Sequence, residues 1–431
     1  MNDTTLFAML GLDESSFDGH SVENVVSSDG IDMYARLVVT STQCPYCLSS
    51  RTKRHGSFAR TVRCSLNANV RQTLHVEVPR LVCKECGRTF SPAMKDVRPG
   101  TSVSRQVKRS IAADFRRRES FGQIAERYHV SDTFVMNLFD AVSKKVPRGR
   151  LAECLCIDEF RFLRTGKLKY PAIIVDCETG KLIDVVESRQ ARILGPYFSR
   201  IPLRERQAVR FFSSDMYDGF RAMKARYFKT AVHVIDMFHI VKQATGAMMM
   251  ERAKCMKREG EATPLGRFMK AHWKLFQDRR QSLRERLVSF GPDGELRSNV
   301  GLMDECFAKY PSMLAVYDAE QAMFGLSAGR NKRASGDELD WVISKLAGSG
   351  SAIGAEAART YVKWGNEIRT TLRLRDEGCA ITNSHAEGMN NNIATLVKLS
   401  YGCFDFVRFR KRALLMFGMK SDWDPDGFYV E

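Results

Sequence analysis

The order of strand-like runs between residues 152 and 236 restricts the fold more than any other feature of this chain. "ECLCIDEFRF", "KYPAIIVDCE" and "KLIDVVESR" are three β-rich runs, joined by the turn-like segments "LRTGKL" and "TGK" containing Gly166 and Gly180. A polar, helical stretch follows around "QARILGPYFSRIP". A fourth strand, "AVRFFSSD", ends in Asp215, and after the short helix "MYDGFRAMKARYF" a fifth, "AVHVID", ends in Asp236. The first run closes on two adjacent acids, Asp158 and Glu159. A carboxylate at the mouth of a buried strand must be paired, protonated or bound to a cation.

Three consecutive strands, then helix, strand, helix, strand, is the order of an RNase H-like domain, in which the ends of strands one and four lie side by side. Asp158 and Asp215 would then face each other, and converging carboxylates repel unless a divalent cation sits between them. Hard oxygen donors suit Mg²⁺ or Mn²⁺. Strand alternation turns Glu159 to the opposite face, where no metal role is assigned to it. A second ion needs a third acid. "TNSHAEGMNNNIATLVKLSYG" offers Glu387 in the first turn of a helix, with Asn390 and Asn391 at i+3 and i+4. Ser384-x-x-Glu387 is equally a capping box, in which Glu387 only satisfies an orphan amide. Spacing alone leaves both roles open.

Upstream, "CPYC" (Cys44, Cys47) and "CKEC" (Cys83, Cys86) frame the alternating segment "RQTLHVEVPRLV". Two such knuckles supply four thiolates for a tetrahedral, structural Zn²⁺, the pattern of a zinc ribbon. Cys64 and His55 lie in the gap and are alternative ligands, and four ordinary buried cysteines are the plain alternative. Next, "FGQIAERYHVSDTFVMNLFDAV" resembles a helix-turn-helix. Ile124 and Ala125 pack the first helix, Val130 marks the turn, and Ser131 caps a second helix with apolar positions Phe134, Val135, Leu138 and Phe139. In that reading Ser131, Asp132, Thr133, Met136 and Asn137 approach the bases, with Arg116, Arg117 and Arg118 as a basic flank. Plain helix packing is the competing account.

The placement of charge favours a polyanion. Net charge is +17 over 431 residues. Residues 1–50 carry one Arg against seven acids, whereas residues 51–118 carry 17 Lys and Arg against four acids. Such a basic block suits nucleic acid, with a solvated surface as the bland alternative. The 12 cysteines are not spaced as a disulfide framework. No apolar run approaches the ~20 residues of a membrane span, and "MNDTTLFAML" lacks the marks of a signal peptide, so a cytoplasmic protein is expected. Between Asp236 and Glu387 the chain has helical periodicity and no strand signal, which predicts an all-helical insertion. Within it the Met248–Met250 run and Trp273 read as core, and "DRRQSLRER" as a solvated or DNA-facing helix surface. Trp364 reads as packing, with stacking on a flipped base as the alternative.

Taken in order, "CPYC…CKEC", "IDEF" with "VDCETGKLIDVV", "SSDMYDGF", "VIDMFHIVK" and "TNSHAEGMNNNI…YG" resemble the bacterial DDE-type insertion-sequence transposases of the ISL class. The resemblance spans roughly residues 40–417. It implies a zinc finger, a helix-turn-helix and an RNase H-like nuclease, with Asp158, Asp215 and Glu387 as a triad for two Mg²⁺ or Mn²⁺. Asp236 and His239 of "DMFH" would support the site or the DNA, as would Asn390 and Asn391. Three positions depart from the family pattern: Asn392 and Ala394, near which the family has Lys, and Cys403, where it has an aromatic. These bear on local DNA contacts.

The expected organisation is a multidomain α+β and α/β chain. It comprises a zinc ribbon over 1–98, a helix-turn-helix over 99–150, an RNase H-like catalytic domain over 151–240 and 376–420, a helical insertion over 241–375, and a tail over 421–431. The expected activity is Mg²⁺-dependent DNA cleavage and strand transfer at terminal inverted repeats, with target DNA as second substrate and a homodimer or larger assembly on DNA. The alternative is a transposase-derived regulator that binds DNA without catalysis. Three carboxylates beside a polyanion argue against it.

Overall fold

The computed structural model describes residues 7, 10–18, 23–27, 30–39, 41–64, 70–98, 100–144, 146–162, 170–329, 335–379, 381, 384–400 and 405–418. The expected turn at Gly166, Cys403, the tail 421–431 and the side chain of Ser384 lie outside them. The fold is mixed α/β. It divides into two compact units, one built from the described residues up to Arg148 together with those from Thr395 onward, the other from Gly149–Ala394.

In the first unit, β1 (Glu23–Ser27) and β2 (Gly30–Arg36) form a hairpin. β3 (Thr52–Arg63) pairs antiparallel with β4 (Gln72–Cys83), which runs parallel to β2 and also holds the short β5 (Thr89–Phe90). The strand order is β1-β2-β4-β3. Alternation in β4 sends Leu74, Val76 and Val78 into a core with Met33, Ala35 and Val62, while Glu77 faces outward.

Three helices follow: α1 (Arg105–Asp114), α2 (Phe121–Tyr128) and α3 (Asp132–Val142). Ser120 and Gln123 close a reciprocal capping box on α2, and His129 ends it in the left-handed region at φ 51°. Ser131 caps α3, accepting from the Phe134 amide at 3.2 Å. Ile124, Ala125, Val135 and Phe139 are buried as their spacing predicts, and Phe115 meets Phe139 edge-on at 5.0 Å. The helix Phe406–Phe417 packs in the same unit. Its Arg408 grips Asp140 at 2.6 and 2.9 Å, and its Arg412, buried over the Phe121 ring, donates to the Glu119 carbonyl.

The second unit is built on β6 (Cys154–Glu159), β7 (Ala172–Asp176) and β8 (Leu182–Val186), an antiparallel meander. α4 (Ala191–Ser199) and α5 (Leu203–Gln207) lead to β9 (Phe211–Ser214), and α6 (Asp218–Tyr227) leads to β10 (Val232–Ile235). β9 runs parallel to both β6 and β10, giving the order β10-β9-β6-β7-β8. Every residue of β7 and β8 is buried, because helices cover the sheet's faces.

α7 (Met237–Glu259) starts directly after Asp236 and opens a helical region with its own core. It continues through α8 (Pro264–Ala271), α9 (Asn299–Lys309), α10 (Pro311–Ser327), α11 (Ser335–Ala347), α12 (Ala352–Lys363) and α13 (Gly365–Asp376) to α14 (Ser384–Leu399). α15 is the helix Phe406–Phe417 described above. Three expectations for this region need correction. It is not all-helical: β11 (Leu287–Phe290) and β12 (Glu295–Ser298) form a hairpin. Gly291 and Gly294, both at positive φ, make its turn, a signal that helical periodicity overrides. "DRRQSLRER" is no helix surface but contains only a 3-10 turn over Arg280–Ser282. Trp273 is 39% exposed rather than core, because it follows the end of α8, where helical spacing no longer sets the buried face. The methionine run is split between a fully buried Met248 and an exposed Met250. Trp364 is core, 2% exposed.

Candidate functional site

Among the described residues one group of four cysteines could hold a metal ion, and a second group gathers buried carboxylates at the end of a sheet. In the first unit each CxxC bends back on itself. The Leu48 amide donates to the Cys44 carbonyl at 2.9 Å, and the Gly87 amide to the Cys83 carbonyl at 3.0 Å. Leu48 and Gly87 take φ near 60° and 69° to allow this. The knuckles meet with Cys44 Sγ 3.6 Å from Cys86 Sγ and Cys47 Sγ 3.6 Å from Cys83 Sγ. All four sulfurs lie within 4.8 Å of one another. The Cys86 and Glu85 amides draw the Cys83 thiol down to about 7. Four thiols so arranged could hold a structural zinc, with no position left for catalysis. Cys64 is buried in the sheet and, like His55, stands outside this group.

In the second unit β6, β9 and β10 run parallel, so the residues at their carboxyl ends share one edge of the sheet. Those residues are Asp158, Asp215 and Asp236. Burial pushes the Asp158 carboxyl up to about 6 and that of Asp236 to about 6. Burial again, reinforced by Glu159 and Asp158, pushes Asp215 to about 7. Asp158 Oδ1 accepts from the Glu159 amide at 2.8 Å, and Asp158 Oδ2 accepts from Asn390 Nδ2 at 2.7 Å. Asp236 caps α7, and His239 in the first turn comes within 3.8 Å of it.

Glu387 is exposed on α14, close enough to Asp236 and His239 to act on both electrostatically. Asn391 is exposed one position beyond Asn390. Among the described residues the four cysteines are the one His, Cys, Asp or Glu group of three or more with all ligand atoms within 4.8 Å. Asp158, Asp215 and Glu387 do not form such a group. In the first unit Ser131, Asp132, Thr133 and Asn137 are exposed at the start and along one side of α3, and Arg116, Arg117 and Arg118 are exposed after α1.

Sequence reasoning missed two features beside the acids. Glu159 does not stand apart from them: its charge raises Asp215 ahead of that of Asp158, and its carboxylate pairs with Arg189 at 2.6 Å. It is still paired with Ala172 in the β6–β7 ladder, and its influence on Asp215 is through charge at the sheet's end. Cys156 and Cys177 form a disulfide between β6 and the end of β7, with Cα atoms 5.5 Å apart, although the cysteine spacing predicts none. Only the strand register brings the two together.

A family model of DDE-type transposases of the ISL3 class matches residues 155–413, well over half of the chain. The chain belongs to this transposase family. No curated protein matches it. The match opens in β6, one strand residue before Cys156, and runs through the acids and α14 into the helix Phe406–Phe417. Membership makes the transposase an enzyme of the nuclease and polynucleotidyl transferase type, with DNA as its partner. No helix among the described residues is long and apolar enough to cross a membrane.

Proposed function

We propose that this transposase binds the terminal inverted repeats of its own element and cuts and joins DNA strands at a site of Asp158, Asp215 and Glu387. In this reading residues 151–240 and 376–420 form an RNase H-like catalytic domain, 241–375 an insertion, 1–98 a zinc-ribbon domain and 99–150 a helix-turn-helix. The observation that carries it is the shared sheet edge of Asp158 and Asp215, with Asn390 of α14 bonded to Asp158.

The residues fit a divalent cation. Among the described residues Asp215 Oδ1 and Asn390 Oδ1 are buried acceptors without a hydrogen-bond partner, and Asp158 and Asp215 are buried as like charges that act on each other. Asp158, Asp215 and Glu387 would hold two Mg²⁺ or Mn²⁺. Ions bound there would supply activation of a water or a 3′-hydroxyl for attack on a phosphodiester and would offset charge on the leaving oxygen. Asn390 orients Asp158 through its amide. Asp236 fixes the first turn of α7, which carries His239 to the rim of the site, where it can contact a strand. Ser131, Asp132, Thr133 and Asn137 would meet base edges, and Arg116, Arg117 and Arg118 phosphates. Two DNA ends enter one reaction, so a homodimer or larger assembly on DNA is part of the proposal.

The test is cleavage of DNA carrying the element's ends, with Mg²⁺, by wild type and Asp158→Asn. Cleavage lost in the variant while DNA binding persists supports the reading. Binding by both and cleavage by neither, with Mg²⁺ or Mn²⁺, would replace it with a regulator that keeps the scaffold alone.

A further inference from the structure

Arg189 follows β8, and its backbone amide donates to the Tyr170 carbonyl at 3.0 Å, just before β7. Its Nη1 meets Glu159 Oε1 at 2.6 Å, with the two side chains 27% and 25% exposed. Its guanidinium lies over the Tyr217 ring at 4.4 Å and the Tyr170 ring at 5.1 Å. Tyr217 stands two residues beyond Asp215. The cation is therefore held by two rings and a carboxylate beside the ends of β6 and β9. Glu159 Oε2, the oxygen not engaged by Arg189, is buried with no hydrogen-bond partner among the described residues, as is Asp215 Oδ1.

We infer that Arg189 is a positioning residue that holds Glu159 out of the divalent-ion site of Asp158 and Asp215, and so sets the negative charge which that site presents. The inference rests on the metal-site reading above. Glu159 adjoins Asp158 in the chain and offers a hard oxygen with no partner among the described residues. Ion affinity in oxygen sites rises with the number of charged ligands, whereas a Mg²⁺ that must also take substrate phosphates is served by few carboxylates. Arg189 keeps the count low. A guanidinium can stack flat against rings while its edge meets a carboxylate, and an ammonium cannot do both. Lysine at this position is therefore a poor substitute.

The test is Mn²⁺ titration of the full chain without DNA, following free Mn²⁺ by electron paramagnetic resonance. It compares wild type, Asp158→Asn, Arg189→Met, Arg189→Lys and the double variant Arg189→Met/Glu159→Gln. Arg189→Met binds Mn²⁺ roughly tenfold more tightly than wild type, and the double variant returns to within about threefold of it. Arg189→Lys, which keeps the charge and the fold, shifts the same way as Arg189→Met. Equal affinity in wild type and both single Arg189 variants, or a double variant that stays with Arg189→Met, overturns the inference and leaves Arg189 a structural residue. No difference between wild type and Asp158→Asn overturns the metal-site reading itself, and this inference with it.

Discussion

Asn390 Nδ2 donates to Asp158 Oδ2 at 2.7 Å, a bond between residues 232 positions apart that ties α14 to the end of β6. It is a direct contact between a late helix and the first strand of the central sheet, and it carries α14 with Glu387 toward the same edge.

Asn390→Ala removes a donor to an ionisable group, a loss of about 1.5–3 kcal/mol. Where the bond serves to orient Asp158 for reaction, single-turnover cleavage falls roughly 10- to 100-fold with little change in DNA affinity. Unchanged cleavage by a folded variant would make the bond a packing contact only.

The four-cysteine group predicts one zinc per chain. Cys83→Ser, or a strong chelator, lowers the melting temperature of the first unit by on the order of 10 °C or more. The second unit, which has its own cores, keeps its transition. Differential scanning calorimetry with metal analysis measures both, and a metal-free chain with an unaltered melt would refute the zinc assignment.

Glu320 is 0% exposed inside the helical core. Burial pushes its carboxyl up to about 8, from a usual 4.5, with the Thr245 hydroxyl offsetting only part of this. The folded value lies above the unfolded one. The stability it contributes is therefore full below 4.5 and is lost as pH rises through about 8. Glu320→Gln should melt higher than wild type by on the order of 5 °C at about pH 9, with the advantage gone at about pH 5. A constant offset at both pH values would contradict the assignment.

Trp364 is buried, with Arg221 over its ring at 4.5 Å and His233 edge-on at 6.1 Å. Arg221 also forks onto Glu367 at 2.7 Å through both contacts. Trp364→Ala is expected to cost about 3–5 kcal/mol of stability in denaturant unfolding. Full stability combined with loss of DNA cleavage would instead favour base stacking.

Much of this was legible because the relevant signals are local. The two CxxC pairs, the Ser131 cap and the period-two run of β4 each declare themselves within a dozen residues. The acids at strand ends follow from strand order alone. What escaped depends on tertiary register. Arg189 reaches Glu159 across 30 positions, and Cys156 reaches Cys177 through the pairing of β6 with β7. The hairpin of β11 and β12 was hidden because its turn glycines sit in otherwise helical surroundings. Glu387 stayed ambiguous because one spacing serves both a cap and a ligand.

The central claim is that carboxylates from β6, β9 and α14 form one divalent-ion site. Substituting Fe²⁺ and adding peroxide cuts a backbone beside the bound ion, and mass spectrometry locates the cuts. Cuts are expected around Asp158, Asp215 and Glu387 together, suppressed by excess Mg²⁺. Cuts confined elsewhere, or unaffected by Mg²⁺, would contradict it.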